Sequence, residues 1–191
     1  MGNDRTIDNA ARVSYGGNEK ERTDKEVTNL IRYLYRNHHT SPFEMVELMF
    51  HLKMPIFVMR QHVRHRTASL NEYSGRYSVM SDEFYLPSIS REMGQSTNNK
   101  QQSEGNLNED QVLDFIDYLD ESYNLSYRNY AFSLDMGVSK EIARIQLPLA
   151  NYTEIYWKID LKNLFHYIKL RNDPSHAQNE IVQLARLMYD M

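Results

Sequence analysis

The 191-residue chain contains no cysteine. That removes disulfides, thiolate metal sites and any thiol nucleophile, so whatever chemistry it performs runs on other groups. Long hydrophobic stretches are missing as well. The longest apolar run is Met54-Pro55-Ile56-Phe57-Val58-Met59, far below the ~18 residues a membrane helix needs. The opening residues MGNDRTIDN hold no apolar signal region, so the sequence predicts a cytoplasmic location and no membrane partner. No βαβ rhythm, glycine-rich dinucleotide turn or internal repeat is visible. What is present is globular in character. Mean hydropathy is -0.68 with 41% hydrophobic residues, and 14 Tyr with 7 Phe argue against disorder. The length suits one domain spanning 1–191.

The pattern predicts helices in excess of strands. Thr23-Asp24-Lys25-Glu26 reads as a capping box ahead of Val27, Leu30, Ile31 and Leu34 on one helical face, with the helix ending near His38-His39. From Val46 the period becomes two, with Val46, Leu48, Phe50, Leu52 and Met54 on one side, which is a half-buried strand. Pro55 then suits a first helical position, and Ile56, Met59 and Val63 repeat at helical spacing up to Arg64-His65-Arg66. Residues 88–108 are so polar that they predict a mobile surface loop without a core. A long helix should run from about Asn108 to Met136, burying Val112, Phe115, Ile116 and Leu119 and stopping at Gly137. Ser139 should cap a short helix bearing Ile142, Arg144 and Ile145. Tyr152–Ile159 reads as a strand, Asp160 as the cap of a helix reaching Arg171, and Ser175-His176-Ala177-Gln178 as a capping box for a last helix. The class is therefore α+β, with a central, mainly antiparallel sheet flanked by helices.

Chemistry concentrates in residues 60–76, RQHVRHRTASLNEYSGR, where Arg60, Arg64, Arg66 and Arg76 face a single acid, Glu72, in a chain of net charge -4. Guanidinium forks bind phosphate bidentately, and Ser69, Ser74 and Gly75 let hydroxyls and amides approach the same anion, so a phosphorylated ligand is the direct reading. A basic helix end paired with the acidic long helix is the structural alternative. His62 and His65, with His38, His39 and His51 nearby, raise the question of a metal. No carboxylate joins them at ligand spacing and the arginines would repel a cation, so no metal is expected. A nucleic-acid module built on the basic segment is opposed by the net charge and by the lack of a basic stripe elsewhere.

The run Arg64-His65-Arg66, seven residues and then Ser74 resembles the signature of flavin-dependent thymidylate synthases. Further blocks of that family occur in order: AARVSY (10–15), HHTSPFE (38–44), EFYLPS (83–88), VSKEIARIQLPL (138–149) and LRNDPSHAQNEI (170–181). The resemblance implies reductive methylation of dUMP to dTMP, with 5,10-methylenetetrahydrofolate as carbon donor, FAD as cofactor and NADPH as reductant. It also implies a homotetramer whose active sites are shared between subunits. By position it assigns dUMP binding to Gln61, Arg64, Glu72, Tyr73, Ser74, Gly75, Arg76, Arg144 and Arg171, with Arg171 catalytic. Flavin binding falls to Ser14, His39, Ser41, Glu44, Arg64, His65, Arg66, Glu72, Asp160, Lys162, His166 and His176. The chain departs from the pattern at Asp160 and Lys162, where many relatives carry Asn and Arg, and in one extra residue between Arg171 and His176. A catalytically weak nucleotide- and flavin-binding member is the alternative. The absence of cysteine fits the resemblance: the unrelated folate-dependent synthases attack uracil with a thiolate, whereas the flavin route activates it electrostatically.

Overall fold

The computed structural model describes residues 2–16 and 21–191. Its centre is a sheet in the order β1-β5-β2, made by β1 (Glu47–Pro55), β5 (Tyr152–Asp160) and β2 (Ser69–Glu72), antiparallel throughout. Phe50 lies opposite Trp157 and Leu52 opposite Ile155, and the period of two sends these side chains to one face. That face is buried, whereas Met49, His51, Glu154 and Tyr156 remain exposed on the other. Three helices cover the buried face: α3 (Ile56–His62), α6 (Leu161–Arg171) and α7 (Asn179–Asp190). They contribute Val58, Met59, Leu164, Tyr167, Ile181, Val182, Ala185 and Met188 to a core around Trp157. Burying each large apolar side chain contributes about 1.5–3 kcal/mol. The class is α+β, as the periodicities predict.

Two smaller clusters fix the periphery. Ile7, Leu34, Phe43 and Val46 join α1 (Asp4–Arg12) and α2 (Asp24–Arg36) to a 3-10 turn at Ser41–Met45. The capping box of α2 is present, with Glu26 accepting from the Thr23 N–H at 2.9 Å. Met80, Tyr130 and Ala143 join α4 (Glu109–Asp135) to the short α5 (Lys140–Ala143). Asn108 caps α4, which closes at Gly137 with φ +86°, a conformation that favours glycine.

Several local expectations are corrected. α1 was not foreseen; it starts with a box in which the Asn3 side chain accepts from the Thr6 N–H. β2 was also missed, being short, polar and exposed, so that only pairing with β5 makes it a strand. Pro55 ends β1 and caps α3 rather than opening the helix, and α3 buries Val58, Met59 and His62 while Val63 is exposed. On α4 Phe115 is exposed, and the deeply buried residues are Val112, Tyr123 and Tyr130, because two tyrosines carry the packing. Ser139 stands at the cap of α5 without a side-chain cap bond. The box at Ser175 does not form: Gln178 occupies the cap of α7, and the Ser175 hydroxyl donates to Asp173. The 88–108 segment holds a hairpin of β3 (Gly94–Gln95) and β4 (Ser103–Glu104), with Ser96 buried. Among the described residues no helix is long and apolar enough to cross a membrane.

Candidate functional site

Strand β1 hands directly to α3 because the first free amides of that helix find partners in the loop before β5. Ile56 N–H donates to the Asn151 carbonyl at 3.0 Å and Phe57 N–H to that of Leu149 at 2.9 Å. Buried Asn151 donates from Nδ2 to the carbonyls of Ser81 and Glu83, at 2.9 Å each, fixing the chain after β2 against β5. Tyr73 N–H then donates to the Glu154 carbonyl at 2.8 Å, and Ser74–Ser78 turn back on themselves. The result is a cleft of about 300 Å³ that brings together Glu72, Tyr73, Ser74, Gly75 and Arg144 with Asn151 and Thr153. Thr153 donates its hydroxyl to Glu72 at 2.8 Å. A Cβ on Gly75 would lie 2.7 Å from Met80 Sδ and 3.2 Å from Arg144 Cδ, so any side chain here presses on the Met80 thioether and displaces the Arg144 stem. Arg144 has no acid partner among the described residues. The cleft therefore presents one unneutralised guanidinium, a hydroxyl and a carboxylate, a set suited to a phosphate and a hydrogen-bonding ring edge.

At the far end of β5, Arg64, His65, Arg66, Thr67, Ile159, Asn163 and His166 line a second cleft of about 270 Å³. Asn163 and His166 also line a third, of about 460 Å³, with Tyr35, His38, Thr40, Phe43, Lys162, Phe165 and Lys169. Asp160 does not oppose an anion here. Its carboxylate caps α6, accepting from the Asn163 backbone at 2.9 Å and from Asn163 Nδ2 at 2.6 Å. Lys162 pairs with Glu44 at 3.1 Å, while Arg64, Arg66 and Lys169 have no acid partner among the described residues. Aromatic walls from Tyr35, Phe43 and Phe165 beside unpaired cations fit a flat ring system carrying phosphates, so these residues fit a flavin nucleotide.

Arg171, the last residue of α6, is half-buried and donates from Nε to His65 Nε2 at 3.0 Å. Its terminal amino groups have no protein partner among the described residues. Burial first, then the charges of Arg171 and His166, push His65 down to about 4. The imidazole is thus neutral at pH 7, as an acceptor from a guanidinium must be. The guanidinium is consequently anchored at one nitrogen with its fork open.

Thr153 lines the first cleft and Ile159 the second. Six residues of strand rise separate them, roughly 20 Å, so one chain does not bring the two residue sets into one reaction centre. Other assigned residues stand apart from all three clefts. Arg76 turns outward to Glu141 at 3.1 Å. Ser14 lies in an exposed 3-10 turn, and exposed His39 meets the Tyr33 ring, with His38 and Thr40 lining the cleft instead. Ser41 sits with Glu44 in the 3-10 turn, and Gln61 donates to Gln178 of the α7 cap. His176 is exposed and bonds Asp173 at 2.9 Å, away from the flavin-type clefts.

Sequence reasoning missed Thr153, Asn151 and Asn163. Asn163 was within reach, since it lies three residues after the Asp160 cap, where a side chain returns to the cap. His38 was read as part of a helix end, a metal question and a family block but given no site role, yet its φ of +58° turns the chain toward Thr40 and the third cleft. Among the described residues no group of three or more His, Asp or Glu is placed to hold a metal.

Comparison with known proteins gives a consistent result. The family model described as thymidylate synthase complementing protein matches residues 1–191. A flavin-dependent thymidylate synthase of Dictyostelium discoideum is 52% identical over 97% of this chain and 60% of its own length. One of Wolbachia pipientis wMel is 50% identical over 100% of the chain and 66% of its length, and one of Thermus thermophilus 51% over 100% and 68%. The chain thus spans about three fifths to two thirds of these relatives. Among solved structures, the UMP/dUMP methylase PolB of Streptomyces cacaoi bound with 5-Br dUMP superposes with TM-score 0.89 at 32% identity, over 100% of this chain and 85% of that one.

Proposed function

The chain belongs to the thymidylate synthase complementing protein family, and on that premise we propose that it is a flavin-dependent thymidylate synthase. The reaction is reductive methylation of dUMP to dTMP, with 5,10-methylenetetrahydrofolate as carbon donor, FAD as cofactor and NADPH as reductant. The observation that carries this reading is the folding of residues 60–76. One end builds a phosphate-and-ring cleft with Arg144, and the other presents unpaired arginines beside aromatic walls. The separation of these sets along β5 supports a homotetramer in which Glu72–Gly75 and Arg144 of one copy face Arg64–Arg66 and Arg171 of another. A cytoplasmic enzyme without nucleic-acid or membrane partners is consistent with the net charge of -4.

In this reading Ser74 and Arg144 hold the dUMP phosphate, and Glu72 and Tyr73 orient the nucleotide. Arg64 and Arg66, without acid partners among the described residues, would neutralise the flavin pyrophosphate, with Lys162 adding only what its ion pair with Glu44 leaves, and His166 and Asn163 would help hold the flavin. FAD, when bound, supplies the reducing equivalents for the transferred carbon. Arg171 turns its open fork to the uracil edge, favours loss of the N3 proton and stabilises the resulting charge, which raises the nucleophilicity of C5. His65 takes up Nε, so the fork has one orientation before substrate arrives.

The test is purification with FAD, an absorption spectrum, and a search for dTMP and tetrahydrofolate after addition of dUMP, methylenetetrahydrofolate and NADPH. A colourless protein that yields neither product refutes the proposal. The second reading, a weakly catalytic nucleotide- and flavin-binding member, is favoured by the turn of His176 toward Asp173. It predicts flavin binding with little dTMP, and little further loss of activity in Arg171→Ala.

A further inference from the structure

His62 is completely buried at the end of α3, and the mechanism above gives it no part. Its Nδ1 lies 3.0 Å from the Tyr167 hydroxyl, while Nε2 is buried without a hydrogen-bond partner. An apolar side chain here would remove the unpaired Nε2 but leave the buried Tyr167 hydroxyl without its imidazole partner. What the imidazole adds is its bond to Tyr167. The Tyr167 ring, itself fully buried, packs edge-on against His65 with centroids 4.6 Å apart. His65 in turn accepts from Arg171 at 3.0 Å. On the other side, His62 is wedged against Trp157 at 4.3 Å. Trp157, His62, Tyr167, His65 and Arg171 thus form a continuous stack from β5 to the end of α6. Burial, then the charges of His65 and Arg171, push His62 down to about 4, so His62 itself adds no cation beside the guanidinium at neutral pH.

We propose that His62 is a positioning residue: through its hydrogen bond to Tyr167 it fixes the ring that sets His65, and so the orientation of the Arg171 guanidinium. The role of Arg171 rests on the function proposed above, whereas the coupling of His62 to His65 does not.

The experiment uses His62→Phe, which keeps a ring but deletes the bond, Tyr167→Phe, which deletes it from the other side, and the double variant. Two quantities are read on the full chain: dUMP-dependent flavin oxidation with added FAD, and the ring 15N signals of His65 without and with FAD. A misplacement of about 1 Å can cost up to ~100-fold in rate. We expect each single variant to lose about tenfold in kcat with KM for dUMP within ~3-fold, and the double variant to lose no more than either. We also expect the His65 signals to depart from the Nδ1–H form in both single variants. Multiplicative losses, or rates within ~2-fold of wild type with unchanged His65 signals, overturn the proposal. If wild type makes no dTMP, the function proposed above fails, and the His65 signals alone decide: a change in both variants supports the coupling, and none refutes it. Tyr167→Phe alone keeps the test decisive if His62→Phe does not fold.

Discussion

Replacing Arg91 by Ala should expose how the polar 88–108 segment is held to the core. Arg91 Nε lies 2.8 Å from Glu180 Oε1, and the two side chains are only 17% and 8% exposed. Tyr85 donates to the same oxygen at 2.7 Å, while Glu180 Oε2 is buried without a partner. Arg91 also donates to Ser103 at 2.6 Å, so it ties the hairpin to the first turn of α7. Removing one partner of a buried ion pair costs about 3–5 kcal/mol, because the remaining charge stays desolvated. With Tyr85 still donating, about 3 kcal/mol is expected at pH 7. The pH dependence tests the cause. Burial alone would raise the Glu180 pKa, but the bonds from Arg91 and Tyr85 outweigh it and hold it below the ordinary carboxylate value. In wild type this stabilisation is therefore present above the unfolded pKa of about 4.3 and is lost as pH falls through the lower folded value. Without Arg91 burial dominates, the folded carboxyl takes up a proton earlier, and the deficit against wild type should shrink between about pH 7 and pH 4.5. Urea unfolding at both pH values measures it. Arg91→Met with Glu180→Leu should return to within about 1 kcal/mol of wild type, since no charge is left buried. A deficit for Arg91→Ala below ~1 kcal/mol at pH 7, or one that does not change with pH, refutes the reasoning.

Gly75→Ala should raise KM for dUMP by about tenfold without changing FAD binding, because its Cβ would meet Met80 Sδ at 2.7 Å and push on Arg144; steady-state kinetics and flavin titration check it. Burial, then the charges of His65 and Arg171, hold folded His62 at about 4, below its unfolded value near 6.5, so the folded state loses stability as pH falls from about 6.5 toward 4, where the unfolded chain takes up the proton more readily. His62→Phe should accordingly flatten acid unfolding over that window, which circular dichroism would follow; an unchanged profile counts against the assignment. Thr23→Ala removes one half of the α2 capping box and should cost about 1 kcal/mol by thermal or urea unfolding. Arg171→Ala should lower dUMP-dependent flavin oxidation by at least ~100-fold while leaving the flavin spectrum intact.

The parts of the fold legible in the chain are those whose stabilising contacts are local or periodic. Thr23 and Glu26 satisfy each other within one turn, and Asn108 and Asp160 cap their own helices, so a single helical turn contains the whole signal. Of the two long strands, β1 is legible from its period of two and β5 from its β-branched and aromatic content, and each turns alternate residues into one core. β2 carries no such signal, since its residues are all exposed and its hydrogen bonds come from a strand far along the chain. The supposed box at Ser175 failed for a related reason. The residue types were right, but both the N–H and the hydroxyl of Ser175 donate to Asp173, two positions earlier, and the helix starts only behind Gln178.

By itself the sequence determined the inventory: a cysteine-free chain with concentrated arginines, ordered family blocks, and the residues a phosphorylated nucleotide and a flavin would need. Tertiary structure alone decided how that inventory is divided. It sends Glu72–Gly75 with Arg144 to one end of β5 and Arg64–Arg66 to the other, turns Arg76 and His176 away, and bonds Arg171 to His65 at the end of a stack that runs in from Trp157. The physical reason is that position along a strand and side-chain burial are set by pairing between distant segments, which no local spacing encodes.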